Sequence, residues 1–353
     1  MVDTKLMERT HAREKKFDLV AIGSSTMDII MQVDDIIRLD FTDRDGTEKK
    51  YTAIEYSTKL NVKSVKFTPG GSAANLASNL AQLGLKTAYV GVMGKDASGD
   101  ACLQDMREKG VDVSHVVRTG RDITATSVIL MTPWGRDRSI LAYKGANNLL
   151  TPELVDYDVV RNSRAFAWTS LTTDGGVEAI ARAIDAVKET GGTVLGAPSM
   201  SIIMNHREGF ERLLAGTDLL SFNDEELEAA TGEKLLSRAL EKVLGMGPKI
   251  VCVTLGSRGS VVTDGEIMVE TGTFPIQIMD TTGAGDAFAS GILFGYLKGL
   301  PLVDMAKLGA AMASKEIMEP GVRIGVPHSE EELWDFTNRH ELKQTFRPFV
   351  RGG

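Results

Sequence analysis

Short apolar runs alternate with stretches of helical period along most of this chain, and that alternation restricts the fold more than any other feature. Residues 17–22, 86–93, 164–168, 193–197, 218–222 and 249–254 are apolar at nearly successive positions, the pattern of strands buried on both faces. Between them apolar residues recur every three or four positions and predict helices over 71–83, 97–109, 175–189, 207–214, 224–231 and 234–244. Strand followed by helix followed by strand needs crossover connections. The expected fold is therefore α/β, with a mainly parallel central sheet covered by helices on both faces, in three α/β/α layers.

Two stretches interrupt this pattern. Residues 28–68 and 116–144 carry β-like alternation without an intervening helix, and 124–131 with 138–143 reads as a hairpin around Pro133 and Gly135. A few antiparallel strands cannot bury both faces by themselves, so they are expected to form a small β lid over a cleft, to pair with a second subunit, or both. The chain thus divides into a mobile tail over 1–16, one domain over 17–337 that includes the lid, and a C-terminal tail over 338–353.

Composition narrows the function classes. The 353 residues carry a formal charge of −8, which makes a nucleic-acid backbone an unsuitable partner. Cys102 and Cys252 are too few and too far apart for a disulfide framework or a zinc site, and His11, His115, His206, His328 and His340 are scattered. No apolar run approaches the roughly 20 residues that span a bilayer, and residues 1–16 lack the apolar core of a signal peptide. A cytoplasmic protein without a membrane partner is expected.

The chemistry concentrates in Asp280-Thr281-Thr282-Gly283-Ala284-Gly285-Asp286, between the β-like run 276–279 and a helical run over 287–297. Glycines let a ligand approach the main chain closely. The first N–H groups of a helix lack internal partners and lie at its positive end, so this turn suits an anion. A carboxylate there, Asp286, can take a proton from an attacking hydroxyl while the amides stabilise a transferring phosphoryl group. The plain alternative is a carboxylate that merely opens a helix. Two look-alikes fail: Phe288 stands where a dinucleotide fingerprint needs a small residue, and Gly91 with Gly94-Lys95-Asp96 has neither the spacing nor the hydroxyl of a P-loop.

Residues 280–293 resemble the C-terminal signature of the ribokinase-like (PfkB) family of carbohydrate and nucleoside kinases, and residues 70–84 its N-terminal signature. Asn223-Asp224-Glu225-Glu226 is similar to the family's N-x-x-E element, and Thr254 to Gly259 to its T-x-G-x-x-G nucleotide loop. The four elements occur in family order. The resemblance covers roughly 17–330 and implies a ribokinase-like fold and an alcohol-phosphorylating kinase that uses ATP and Mg²⁺.

By that resemblance Asp286 is the general base, and Gly283, Ala284 and Gly285 form the anion hole. Asn223 and Glu226 organise Mg²⁺, Glu226 through water, although their spacing is equally that of a helix capping box. Thr254, Gly256 and Gly259 line the nucleotide side. On the acceptor side stand Asp28, Gly70, Gly71 and Asn75; a surface carboxylate in a lid strand is the alternative for Asp28. Some relatives bind a monovalent cation, and Asp280 and Thr282 match that site, so K⁺ is an expected candidate, although Pro320 and Arg323 depart from the pattern of the second loop.

The motifs do not select the acceptor. A neutral sugar ranks first, with a nucleoside next: Phe41, Tyr51, Tyr56 and Phe67 in the lid could stack on a base, although lid aromatics more often form the lid's own small core, and 138–147 and 198–201 are reminiscent of adenosine kinases. Arg136, Arg138 and Lys144 could instead receive the carboxylate or phosphate of a sugar acid or sugar phosphate. A non-catalytic sugar or nucleotide sensor and a nicotinamide dehydrogenase are rivals from other classes. The intact Asp286 turn opposes the first, and the lack of a glycine-rich turn after the first strand opposes the second. Lid pairing into a homodimer is expected.

Overall fold

A computed structural model describes residues 15–43, 46, 48–132 and 138–350 of the chain. Its strands are β1 (Phe17–Ile22), β2 (Thr26–Val33), β3 (Ile37–Thr42), β4 (Glu48–Ala53), β5 (Val62–Gly70), β6 (Thr87–Gly94), β7 (Val116–Thr119), β8 (Thr126–Met131) and β9 (Arg138–Tyr143). They continue with β10 (Ser163–Thr169), β11 (Thr193–Ala197), β12 (Leu219–Asn223), β13 (Ile250–Thr254), β14 (Ser260–Thr263), β15 (Ile267–Thr271) and β16 (Gln344–Pro348). The helices are α1 (Ser72–Gln82), α2 (Ala97–Glu108), α3 (Tyr157–Arg161), α4 (Asp174–Lys188), α5 (Met200–Asn205) and α6 (Arg207–Ala215). The remainder are α7 (Asp224–Thr231), α8 (Leu236–Leu244), α9 (Ala284–Leu297), α10 (Leu302–Glu316) and α11 (Glu330–Arg339).

Ten strands form the main sheet in the order β16-β15-β14-β13-β12-β11-β10-β1-β6-β7, parallel from β13 to β7 and antiparallel beyond β13. Helices cover both faces, which is why the central strands are apolar at successive residues. In β1, Leu19 and Ala21 pack with Leu76 of α1 and Phe288 of α9 on one side, and Val20 and Ile22 with Ile180 of α4 and Phe210 of α6 on the other. The ribokinase-like three-layer α/β architecture expected from the sequence is the observed one. Among the described residues no helix is long and apolar enough to cross a membrane.

The lid is a four-stranded sheet, β5-β2-β8-β9, in which β2 and β8 run parallel and β8 and β9 antiparallel. The turn expected at Pro133 and Gly135 lies outside the described residues, as do 1–14 of the expected N-terminal tail. The hairpin β3–β4 stands apart as its own two-stranded sheet. Three sequence expectations need correction. Residues 116–119, assigned to the lid, instead extend the main sheet beside β6. Residues 344–348, assigned to a tail, pair with β15 and close the other edge. Both are edge strands, partly or largely exposed, so the apolar run that marks a buried strand is missing from them. Residues 276–279 form no strand; Ile276 and Ile278 instead line a cavity.

Candidate active site

The parallel strands β1, β10, β11, β12 and β13 end on one rim of the sheet, where α/β folds gather ligands. A cavity of about 440 Å³ opens there under the lid. Ser24 follows β1, Ser170 follows β10, Pro198 follows β11, and Asn223 and Thr254 close β12 and β13, all of them lining it. The lid contributes Asp28, Ser127 and Ile140, and α9 contributes Gly285 and Asp286.

Helix α9 begins at Gly283, which takes φ 80°, a left-handed conformation that favours glycine. A Cβ on Gly283 would lie 2.7 Å from Oε1 of Glu316, so the turn seats directly on that buried carboxyl. A Cβ on Gly285, by contrast, would meet nothing within 4 Å, which leaves the ligand side of the turn open. Asp286 follows in the first turn of the helix. Asn75 of α1 donates from Nδ2 to its Oδ2 at 2.6 Å, and Ser290 donates to its carbonyl at 2.7 Å. Burial pushes the Asp286 carboxyl above the ordinary aspartate range, opposed by hydrogen bonds from Asn75 and Ser72 and by the charge of Arg323.

Asn223 and Glu226 form a reciprocal capping box at the start of α7: the Asn223 N–H donates to Glu226 Oε2 at 2.9 Å and the Glu226 N–H to Asn223 Oδ1 at 2.7 Å. The capping role is therefore real, and it also fixes Glu226 on the cavity wall. Burial pushes the Glu226 carboxyl up to about 7, reinforced by the nearby charge of Asp286 and opposed by the Asn223 hydrogen bond. Two carboxylates facing one cavity at the helix ends, each costly to ionise, form an environment that a hard cation would relieve.

On the lid wall Asp28 is buried, not the surface carboxylate of the alternative reading, and it accepts from Thr26 Oγ1 at 3.1 Å. A Cβ on Gly70 would fall 2.2 Å from Asp28 Oδ2, so glycine there makes room for the carboxylate. Gly71, at φ 95°, opens α1 against the backbone of Ser24 and Ser25 and so sets the direction in which Asn75 points.

A second cavity, of about 540 Å³, lies behind the turn. Thr254, Gly256, Gly259 and Ala284 line it with an apolar set that includes Phe274, Ile276, Phe288, Ala310 and Ile317. Thr254 and Gly285 belong to both cavities, which meet there.

Asp280 and Thr282 sit beside this junction. Asp280 Oδ1 accepts from the N–H and Oγ1 of Thr282 at 2.9 and 2.6 Å, and its Oδ2 accepts from the Gly321 N–H at 3.2 Å. The carboxylate thus ties the turn to the loop after α10. In that loop Arg323 takes φ 64°, donates its N–H to Glu316 Oε1 at 2.7 Å, and buries its guanidinium against Ser78 at 3.1 Å and Asp105 at 2.8 Å. Glu316 Oε2 is buried without a hydrogen-bond partner, and burial pushes this carboxyl up to about 7.

The match to known proteins agrees with this geometry. Residues 16–329 match the pfkB family carbohydrate kinases. The chain belongs to that family. It is 33% identical over 251 residues to an uncharacterized sugar kinase of Archaeoglobus fulgidus, covering 71% of this chain and 98% of that one. Its structure is similar to that of adenosine kinase from Sinorhizobium meliloti, with TM-score 0.77 and 31% identity over 91% of this chain and 99% of that one. It is also similar to Arabidopsis thaliana ribokinase complexed with ribose and ATP, with TM-score 0.75 and 25% identity over 91% of this chain and 98% of that one.

The candidate residues of this pfkB-family chain gather around the two joined cavities, except that Gly70 lies behind Asp28 and Asp280 one layer behind the turn, as a brace. The lid aromatics do not join them. Phe41 and Tyr51 pack edge-to-face on each other at 5.6 Å in the separate hairpin, Tyr56 is 95% exposed, and Phe67 is 64% exposed on the lid face opposite Asp28. None of the four lines the acceptor cavity, so they give no stacking surface for a base there. Sequence reasoning missed the apolar walls of the second cavity, whose residues come from a loop and two helices with no shared spacing. It also missed Ser170, a single hydroxyl after a buried strand, and noted Ser199 only within the stretch 198–201. Arg136 lies outside the described residues, and of Arg138 only the backbone is described.

Proposed function

We propose that the chain is an ATP-dependent kinase that phosphorylates a primary hydroxyl of a small sugar-type acceptor. The observation that carries this reading is the junction itself: the Asn75-bound carboxylate of Asp286 and the open face of Gly285 stand where an acceptor cavity meets an apolar, nucleotide-sized one. Asp286 takes the proton from the attacking hydroxyl, and the raised carboxyl suits a base that must hold a proton for an instant. Gly283, Ala284 and Gly285 offer their amides to the charge of the transferring phosphoryl group. Asp28 with Gly70 and Gly71 positions acceptor hydroxyls, and Thr254, Gly256 and Gly259 border the nucleotide. The ribose and ATP held by the Arabidopsis ribokinase support this division of the site.

Asn223 and Glu226 are the residues that would hold Mg²⁺ through its waters, and the ion would supply positive charge against the charge developing on the phosphates. For K⁺, Asp280, Thr282 and the unpartnered Glu316 oxygen supply an oxygen-rich set around the turn. A nucleoside acceptor is the second reading, favoured by the 31% identity to an adenosine kinase; a non-catalytic sensor on the same fold is the third.

The test is ADP release measured across neutral sugars, sugar acids, inositol and ribonucleosides, run in potassium and again in tetramethylammonium. Acceptor-dependent ADP release supports a kinase, and the accepted class decides between sugar and nucleoside. ADP release that ignores every acceptor would reject both, and equal rates in the two salts would remove potassium. A cytoplasmic setting fits the two buried free thiols. Exposed Val65, Phe67 and Leu141 on the outer face of the lid support a lid-paired homodimer, which a monomer mass by light scattering would refute.

A further inference from the structure

Among the described residues that line the acceptor cavity, one carries a charge that the proposed chemistry leaves unused. In the lid, Asp28 pairs with Ser127, and Ser127 with Ala142, so these three share one face of the sheet. Side chains alternate along a strand, so Ile140 lies on that face too, and Lys144 follows just beyond the end of β9. All of them line the acceptor cavity. Lys144 is half-buried, and burial holds its ammonium below the ordinary lysine range.

Two other half-buried lysines have carboxylate partners, Lys109 with Asp105 at 2.6 Å and Lys315 with Glu332 at 2.8 Å, and a third, Lys15, bonds the Arg161 carbonyl at 2.7 Å. No described carboxylate pairs with Lys144, although an unpaired ammonium pays a desolvation cost. Nor is its position a result of slack backbone. Just beyond it, Ala146 N–H bonds the Ile123 carbonyl at 2.8 Å, and the Asn147 side chain bonds the Ser25 backbone in both directions, at 3.4 and 3.1 Å. The ammonium is thus delivered to the cavity from a fixed base, as a binding group must be. Ser170 and Ser199, whose hydroxyls bond each other at 2.9 Å, line the same cavity and add neutral donors suited to anionic oxygens.

We propose that Lys144 reads an anionic substituent of the acceptor, a carboxylate or a phosphate, while Asp28 reads its hydroxyls. The acceptor is then an acidic or already phosphorylated polyol with a free primary hydroxyl. This rests on the kinase reading of the site, and it makes Lys144 a specificity-determining residue.

Matched acceptors test it: glucose against gluconate, fructose against fructose 6-phosphate, and ribose against ribose 1-phosphate. Steady-state kinetics are measured with the full chain, and calorimetric binding of each acceptor is measured without ATP. The wild type is expected to favour the charged member of at least one pair, and which pair it is separates carboxylate from phosphate. In Lys144→Met the KM and Kd of that charged member rise about tenfold more than those of its neutral partner, with kcat kept, and Lys144→Arg restores most of the loss. A wild type that favours the neutral member of every pair, or a Lys144→Met variant with unchanged discrimination, overturns the proposal. So does a fall in kcat shared by both members, which would put the ammonium on the transferring phosphoryl group. Charged-member binding that depends on Lys144 but is never followed by ADP release keeps the anion site and rejects the kinase reading.

Discussion

The two halves of this site are built from different materials. The half proposed to bind the phosphoryl group, from Asn223 to Asp286, is set mainly by local backbone devices: a left-handed glycine, a glycine with open space beside it, a capping box and the start of a helix. The acceptor half is made of side chains that stand on one face of a lid sheet and on the ends of strands, held by cross-strand register and by pairs such as Asn147 with Ser25. A backbone device tolerates few sequences, because the conformation itself demands particular residues. A side-chain wall tolerates many, because any residue on the pleat can be exchanged without disturbing the fold. On the proposed function, the first half could stay the same across kinases of different acceptors, and the second half would decide which acceptor is taken.

Substitutions at the joint between the halves should break this contrast most severely. Gly285→Val adds atoms where nothing lies within 4 Å, so the protein should fold with nearly unchanged melting temperature. The added side chain fills the point where the two cavities meet, and turnover should fall on the order of a thousandfold as donor and acceptor lose their alignment. Near-normal kinetics for that variant would mean that phosphoryl transfer occurs elsewhere.

The support beneath the turn should respond in stability and not in acceptor choice. Glu316 is 1% exposed, and burial raises its carboxyl from 4.5 to about 7. The folded state thus binds this proton more tightly than the unfolded state does. Its stabilising contribution is complete below pH 4.5 and disappears as pH rises through about 7. Glu316→Gln keeps an acceptor for the Arg323 N–H and removes the charge. At pH 8 it should be more stable than wild type by about 1–2 kcal/mol, with little difference at pH 5, as read by denaturant melts at both values. A variant less stable than wild type at pH 8 would show that the ionised carboxylate, paired with Arg323 or a cation, is the form the fold needs.

The same contrast explains what could be read from the sequence. The strands β1, β6, β10, β11, β12 and β13 and the helices α1, α2, α4, α6, α7 and α8 follow from apolar runs and helical period, because burial on both faces leaves little freedom in those patterns. The edge strands β7 and β16 did not, since an edge needs hydrogen bonds more than apolar side chains. The turn at Gly283, Gly285 and Asp286 was legible because its conformation is set within seven residues. Arg323 looked only like a departure from a loop pattern; its buried guanidinium reaches α1 and α2, contacts that no local spacing encodes. Phe41, Tyr51, Tyr56 and Phe67 misled for the converse reason: aromatic residues announce a surface but not which way it faces.

The central claim is that Asp286, held by Asn75 at the meeting of the two cavities, accepts the proton of the attacking hydroxyl. Its most direct test is Asp286→Asn, with kcat for the best acceptor and nucleotide affinity measured on the same preparation. The amide retains the shape and loses the basicity. The account predicts a fall in kcat on the order of 10² to 10⁴ with nucleotide affinity within a few-fold of wild type. A variant that turns over at a rate close to wild type would contradict it.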